Sequence, residues 1–311
     1  MSAARVRVLT HLPLQEPFTG SFPEVEFLQI PAAGEIPAEA SGEVLLTFAW
    51  GSPNLGEAVK RGVRWVHTLG TGVDRFPLPA LAGQLLTCSR GASAVPISEW
   101  VLAVMLAFEK RLPESWIHEP PERWSIAELG GLSGKTLGLV GFGGIAQAVA
   151  TRALAFGMRV RAQRRTSRPS PIPAVELVAD LSALVSSADH LVVAASATPA
   201  TRHLLGREAF SRAKPGLHLV NIARGSLVDQ DALREALDGG RVARASLDVV
   251  DPEPLPAGHW LYAHPKVRLS AHISWSMPGA IPLLFESFAL NLRRFLAGEA
   301  LLGQVDLGEG Y

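Results

Sequence analysis

The sequence predicts an α/β protein made of two doubly wound parallel-sheet domains. Strand-like apolar runs alternate with helical segments along both halves of the chain, the pattern of parallel sheets. A glycine-rich turn, Gly141-Phe142-Gly143-Gly144-Ile145-Ala146, joins one such run to an apolar-periodic helix. The 311 residues suffice for two domains with separate cores.

In the first part, residues 6–9, 25–28, 44–48, 65–69 and 85–88 read as strands, with a helix over 54–60. Residues 97–112 are apolar on most sides and read as a buried helix, opened by Pro96 and closed by Pro113. A looser segment carrying Pro120-Pro121 and Gly130-Gly131 leads to 135–140, a strand apolar enough for burial on both faces. Strands are then expected at 158–162, 190–195, 217–222, 245–249 and 267–270, and helices at 143–156, 207–212 and 230–238. A long helix over 278–297 ends near Gly298.

The composition is globular, 48% hydrophobic and 19% charged. The 29 basic and 29 acidic residues balance, so there is no electrostatic case for nucleic acid or an anionic membrane as partner. The single Cys88 excludes an intrachain disulfide and a Cys-based zinc cluster, and it reads as inert core; no metal is expected. The longest purely apolar run, 100–108, is too short to span a bilayer. Arg5 and Arg7 are not followed by an apolar signal region, so the expected location is cytoplasmic.

The glycine turn has the context of a dinucleotide site. Gly141 makes the tight turn, and Gly143 lets the backbone approach a pyrophosphate. Ala146 stands at the third glycine position, and the amides of Gly144 and Ile145 face the phosphates at the positive end of the helix. After the next strand, where an NAD site carries an Asp or Glu for the ribose, this chain has Arg164-Arg165-Thr166-Ser167-Arg168. Guanidiniums pair with a 2′-phosphate, and one can stack on adenine, which predicts NADP(H) as the preferred cofactor with NAD(H) possible.

Downstream come Ala223-Arg224-Gly225, then Asp251-Pro252-Glu253-Pro254, then Ser270-Ala271-His272-Ile273. A dinucleotide site followed by an Arg, a Glu and a His suits hydride transfer to a 2-oxo acid. Arg224 pairs with a carboxylate and polarises the ketone. His272 donates a proton to the alkoxide as hydride arrives. Glu253 binds the far imidazole nitrogen and fixes the tautomer. Asp251 is a rival for Glu253, and His259 and His264 are the alternatives to His272; the other histidines read as structural.

These spaced motifs, in this order, resemble the D-isomer-specific 2-hydroxyacid dehydrogenase family. The resemblance covers nearly the whole chain and is strongest from Gly70 onward. It rests on Val140 to Ala146 (the cofactor turn), on Lys214-Pro215-Gly216 with Asn221 to Asp229 (the Arg signature), on Leu247-Asp248-Val249 through Pro256 (the Glu signature), and on His272. It implies a Rossmann dinucleotide-binding domain, 97–276, inserted into a flavodoxin-like substrate-binding domain, 1–96 and 277–311, that closes over it. By the same resemblance Asp248 holds the nicotinamide carboxamide, Ala195 and Ala223 lie beside the cofactor, backbone amides at Gly70, Thr71 and Gly72 receive the substrate carboxylate, and the protein is a homodimer. Trp50 and Trp275 either line the pocket or pack between domains. Ser196-Ala197-Thr198 and Ala271 depart from the family pattern without removing a functional group.

The expected function is NADPH-preferring reduction of a small 2-oxo acid of the glyoxylate or hydroxypyruvate type to the D-2-hydroxy acid. The alternatives are a dinucleotide-sensing regulatory protein of the same fold and an oxidoreductase using phosphite or another small acid. Formate enzymes of the family carry Gln where this chain has Glu253.

Overall fold

The structure, a computed structural model, describes residues 5–166 and 168–311; Ser167 of the basic run lies outside the described residues. The chain forms two compact units, Met1–Ser93 with Gly279–Tyr311, and Ala94–Pro278. The first begins with β1 (Val6–Thr10), β2 (Val25–Gln29), β3 (Val44–Phe48), α1 (Leu55–Ala58), β4 (Trp65–Leu69) and β5 (Leu85–Cys88). The second runs α2 (Ala94–Glu109), β6 (Thr136–Val140), α3 (Gly144–Ala155), β7 (Arg159–Gln163), β8 (Val175–Val178), α4 (Leu181–Ser187), β9 (His190–Val193), α5 (Arg207–Arg212), β10 (Leu217–Asn221), α6 (Gln230–Asp238), β11 (Val242–Leu247), α7 (Trp260–Ala263) and β12 (Val267–Leu269). The chain then returns to the first unit with α8 (Ala280–Leu296).

The first unit holds a parallel sheet of order β2-β1-β3-β4-β5, the flavodoxin-like arrangement. Adjacent strand residues point to opposite faces, so Val8 and Leu9, both fully buried, feed two cores. Leu9, Leu45 and Val66 belong to one; Val8, Val44, Leu46 and Trp65 pack with Phe288 and Leu292 of α8 in the other. These apolar contacts are what bind the C-terminal helix to this unit. The second unit holds a parallel sheet of order β12-β11-β10-β9-β6-β7-β8, the Rossmann arrangement with its reversal between β6 and β9. Cores lie on both faces, one around Leu191, Leu219 and Leu233, the other around Leu139, Val192, Val220 and Met105 of α2.

The differences from expectation have local causes. α2 starts at Ala94, two residues before Pro96, because proline is tolerated in a first turn that needs no amide donor. It stops at Glu109, since Arg111 turns left-handed (φ 53°) and the Leu112 amide bonds back to the Ala107 carbonyl. The helix expected over 54–60 shrinks to α1, followed by tighter three-residue bonds at Lys60 and Arg61. β8, α4 and α7 were not expected; Asp180 caps α4 by accepting from the Ser182 and Ala183 amides.

Buried histidines supply polar connections inside both units. In the first, the Trp65 indole donates to Thr87 Oγ1 (2.8 Å), and His67 lies 2.7 Å from Thr87 Oγ1 and 3.3 Å from Ser89 Oγ. In the second, Lys135 Nζ donates to Glu109 Oε1 (2.5 Å) and His190 Nε2 lies 3.0 Å from the same oxygen. His190 Nδ1 meets His218 Nδ1 at 3.0 Å, and His218 Nε2 meets Ser246 Oγ at 3.0 Å. With the carboxylate as acceptor, His190 is protonated at Nε2, His218 donates from Nδ1, and the Ser246 hydroxyl donates to His218 Nε2; every member is then satisfied.

Desolvation lowers His11 to about 4, His67 to about 3 and His218 well below the ordinary histidine value of 6.5. Below pH 6.5 the unfolded chain takes up protons on these histidines that the folded chain does not, so their stabilisation is complete above that pH and is lost as pH falls. We expect the unfolding free energy to drop from pH 6.5 to 5 by up to about 1.4 kcal/mol per pH unit for each residue. Urea titrations across this range should show the slope, and His67→Gln should flatten it; a pH-independent stability there would contradict the assignment.

Candidate active site

The residues singled out in the second unit emerge at the carboxyl ends of its parallel strands. Gly141 follows β6, Arg164 follows β7, Ala195 follows β9, Ala223 follows β10, Asp248 follows β11 and His272 follows β12. In open parallel sheets this edge, beside the reversal of strand order, is where ligands bind.

Gly141 is left-handed (φ +90°), and a Cβ there would lie 2.7 Å from both Ala195 Cα and Ala195 N, so the turn also needs glycine for close packing. Gly143 is the opposite case: a Cβ would meet nothing within 4 Å, so its backbone faces open space. As N-cap of α3, Gly143 gives no side-chain hydrogen bond, and the first-turn amides, Gly144 and Ile145 among them, have no intrahelical acceptor. A bare backbone, uncapped amides and open space fit a diphosphate. Beyond β7, Arg164 is half-buried; its Nε donates to the Thr166 carbonyl (3.2 Å) and its Nη2 to the Pro169 carbonyl (3.0 Å). These bonds shape the basic loop and leave Nη1 donors unspent on them. Arg165 and Thr166 are exposed in the same loop.

Three further loops are bonded into one frame. Arg224, half-buried after β10, donates from Nη1 to the Ala223 carbonyl (2.7 Å). The next residue, Gly225, is packed so tightly that a Cβ would overlap the Val250 carbonyl and the Asp251 amide. Gln230 clamps the same crossing: its Nε2 donates to the Asp251 carbonyl (2.6 Å), and its Oε1 accepts from the Asp251 amide (3.2 Å). Glu253 Oε1 accepts from the Val250 amide (3.1 Å), and Glu253 Oε2 lies 3.1 Å from His272 Nδ1. Glu253 rather than Asp251 is the carboxylate bonded to His272; Asp251 pairs with Arg202 at 3.5 Å. His259 caps α7, and His264 lies 3.2 Å from Asp238, so both have structural partners.

His272 itself is left-handed (φ 56°), a conformation that costs a residue with a Cβ roughly 1–2 kcal/mol. Its amide donates to the Asp248 carbonyl (2.9 Å). The buried Asp248 carboxylate accepts from Ser270 Oγ (2.5 Å), the Ile273 amide (2.8 Å) and the Ser274 amide (3.0 Å), spending three of about four acceptor positions on this turn. The Trp275 indole donates to the His272 carbonyl (3.0 Å). His272 Nε2 has no hydrogen-bond partner among the described residues, and the side chain is 42% exposed. Neither Gln230 nor the Trp275 bond carried a sequence signal, because both depend on contacts between loops rather than on spacing.

In the first unit, Trp50 and Gly70 follow the carboxyl ends of β3 and β4. Trp50 is exposed and stacks on Phe48 at 5.4 Å. A Cβ at Gly70 would lie 2.5 Å from Ala49 Cβ, so this loop too requires glycine; Thr71 and Gly72 continue it. Among the described residues, no cluster of His, Cys, Asp and Glu could hold a metal ion, and no helix is long and apolar enough to cross a membrane.

The sequence profile of the D-isomer-specific 2-hydroxyacid dehydrogenase NAD-binding domain matches residues 102–274. The glyoxylate/hydroxypyruvate reductase A of Serratia proteamaculans is 30% identical over 276 residues, 85% of this chain and 87% of that protein. The chain belongs to the D-isomer-specific 2-hydroxyacid dehydrogenase family. Membership places it among NAD(P)-dependent dehydrogenases and reductases acting on CH–OH groups, and the matched NAD-binding-domain profile falls within Ala94–Pro278. The hydroxypyruvate reductase of Thermotoga maritima is 40% identical over 198 residues, spanning 62% of this chain but 64% of that protein. The D-3-phosphoglycerate dehydrogenase of Methanocaldococcus jannaschii is 35% identical, with only 36% of its length matched. Among solved structures, the NADPH-dependent glyoxylate/hydroxypyruvate reductase of Sinorhizobium meliloti, in complex with NADP and sulfate, is 26% identical with a TM-score of 0.81, covering 99% of this chain and 100% of that one.

The Gly225 contact generates a prediction. Gly225→Ala should force the Arg224 loop away from Val250 and Asp251, lowering stability by about 1–3 kcal/mol. Chemical unfolding measures this, and a variant as stable as the parent would contradict the packing described.

Proposed function

We propose that this family member reduces a small 2-oxo acid of the glyoxylate or hydroxypyruvate type to the D-2-hydroxy acid, with NADPH preferred. The observation that carries the proposal is the His272–Glu253 pair, 3.1 Å apart, with the second imidazole nitrogen unbonded among the described residues. When bound, the nicotinamide supplies the hydride. His272 gives its Nε2 proton to the forming alkoxide, while Glu253 holds Nδ1 and so fixes which nitrogen exchanges. Arg224 pairs with the substrate carboxylate and polarises the ketone oxygen. The amides at Gly70, Thr71 and Gly72 add donors for the carboxylate, and Trp50 shapes the substrate side. The remaining acceptor position of Asp248 suits a carboxamide N–H, with Ala195 and Ala223 beside it.

The NADPH preference is supported by Arg164 and Arg165 standing where an acidic ribose ligand would otherwise lie, and by the NADP complex of the Sinorhizobium reductase. A homodimer is supported by the family resemblance and by the exposed Trp116, Ile117, Trp124 and Ile126, which cluster in the segment after α2. Light scattering should then report twice the chain mass.

The phosphoglycerate dehydrogenase relatives favour a second reading, NAD-dependent oxidation of 3-phosphoglycerate. One assay separates the two. NADPH oxidation with glyoxylate or hydroxypyruvate should exceed NADH oxidation, and His272→Ala should lower kcat by about 10²–10⁴-fold. Arg164→Ala should narrow the NADPH-to-NADH ratio by about tenfold or more, the worth of one charge-assisted hydrogen bond. Equal efficiency with both cofactors would remove the preference. Turnover only with 3-phosphoglycerate and NAD would replace the first reading with the second, and no turnover with any 2-oxo acid would sink it.

A further inference from the structure

We infer that Trp275 is a positioning residue that aims His272 through the backbone. The inference rests on the reading of His272 as the acid. His272 carries a Cβ and an imidazole in a left-handed conformation (φ 56°), where an L-residue does not remain unless its surroundings hold it there. Two peptide planes flank its Cα. The plane before it is held by the His272 amide on the Asp248 carbonyl, 2.9 Å. The plane after it contains the Ile273 amide and the His272 carbonyl. The first donates to Asp248 Oδ1 at 2.8 Å, and the second accepts from Trp275 Nε1 at 3.0 Å.

Removing the indole bond frees one end of the second plane, and with it the ψ angle of His272. The carbonyl can then swing, the residue can relax toward the ordinary right-handed or extended regions, and the imidazole leaves Glu253. The indole reaches the carbonyl because the Ser276 amide donates to the Ile273 carbonyl (2.9 Å), closing a turn that folds Trp275 back over His272. The ring is half-buried and packs against the core around α2, α3 and β6, which limits the freedom of its N–H. Trp275 thus acts on the reaction through the geometry of His272, whether or not it also touches substrate.

The test is Trp275→Phe, which keeps an apolar ring and removes only the N–H; Trp275→Leu serves if that variant does not fold. We expect a crystal structure of the variant to show His272 out of the left-handed region or its Nδ1 displaced from Glu253. We expect kcat to fall about tenfold, part of what a well-aimed general acid contributes, with NADPH affinity by fluorescence titration unchanged. Combined with His272→Ala, the substitution should have no further effect on kcat. An unchanged His272 geometry would overturn the inference, as would an equal loss of kcat in the His272→Ala background. If the parent protein turns over no 2-oxo acid, the proposed function fails, and the crystal structure of the variant alone decides the role of Trp275.

Discussion

The arrangement of chemical groups in this chain depends on the parallel register of β10, β11 and β12. Asn221 pairs with Leu247, and Leu247 with Leu269, so three strands end at one level. The residues that follow each of them therefore enter the same layer of space: Arg224 after the first, Glu253 after the second, His272 after the third. Parallel strands need no tight hairpins, and their connections run back along the faces of the sheet as helices. That leaves the carboxyl edge free for loops of irregular shape, while both faces are closed by cores in which Leu219, Val220 and Leu247 are almost wholly buried. A slip of one residue in β11 would turn every side chain over and carry Asp248 and Glu253 to the wrong face.

Register alone does not fix the loops, and the way they are fixed explains the residue types found there. Gly225 is glycine because the Val250–Asp251 backbone passes where its Cβ would be. Gln230 holds both polar groups of Asp251, so the loop bearing Glu253 cannot drift from the loop bearing Arg224. Asp248 binds the third loop by accepting from Ser270, Ile273 and Ser274, which encloses His272 between its own donors. A carboxylate that takes two backbone amides and a hydroxyl forms stronger hydrogen bonds than a neutral acceptor, which suits a turn that must carry left-handed strain. A glycine would relieve the strain at position 272 but could not exchange a proton, so the cost is met by the surrounding hydrogen bonds.

Much of this was legible in the sequence because some of the chemistry demands residue types at short range. The turn from Gly141 to Ala146 must have glycines, a strand before it and a helix after it, and all three are local. The strands β3, β4, β6, β9 and β10 announce themselves because burial on both faces leaves no alternation to mistake for a helix. β8 did not, since its pattern includes the exposed Glu176 and its length is four residues. α4 was legible in principle from Asp180 ahead of Leu181, Leu184 and Val185, a cap followed by an apolar stripe. The Gln230 clamp and the Trp275 bond were not, because each joins residues whose proximity exists only once three strands are paired.

The histidines make the same point about function. All 9 are the same side chain, and sequence order alone distinguished one of them. The structure separates them by what surrounds each nitrogen. His67 and His218 are fully buried, and desolvation keeps both uncharged across the physiological range. Hydroxyls and a second imidazole occupy their nitrogens, so a proton entering either ring would bury a charge and force a bonded hydroxyl to turn from donor to acceptor. Such residues connect strands and have nothing to exchange. His272 has one nitrogen on a carboxylate and the other unbonded among the described residues, with the side chain partly open to solvent. A proton can arrive at that nitrogen and leave from it without breaking any internal bond, while the carboxylate keeps the ring from turning. Of the two arrangements, only the second permits general acid catalysis, and it is built from loop contacts rather than from the core.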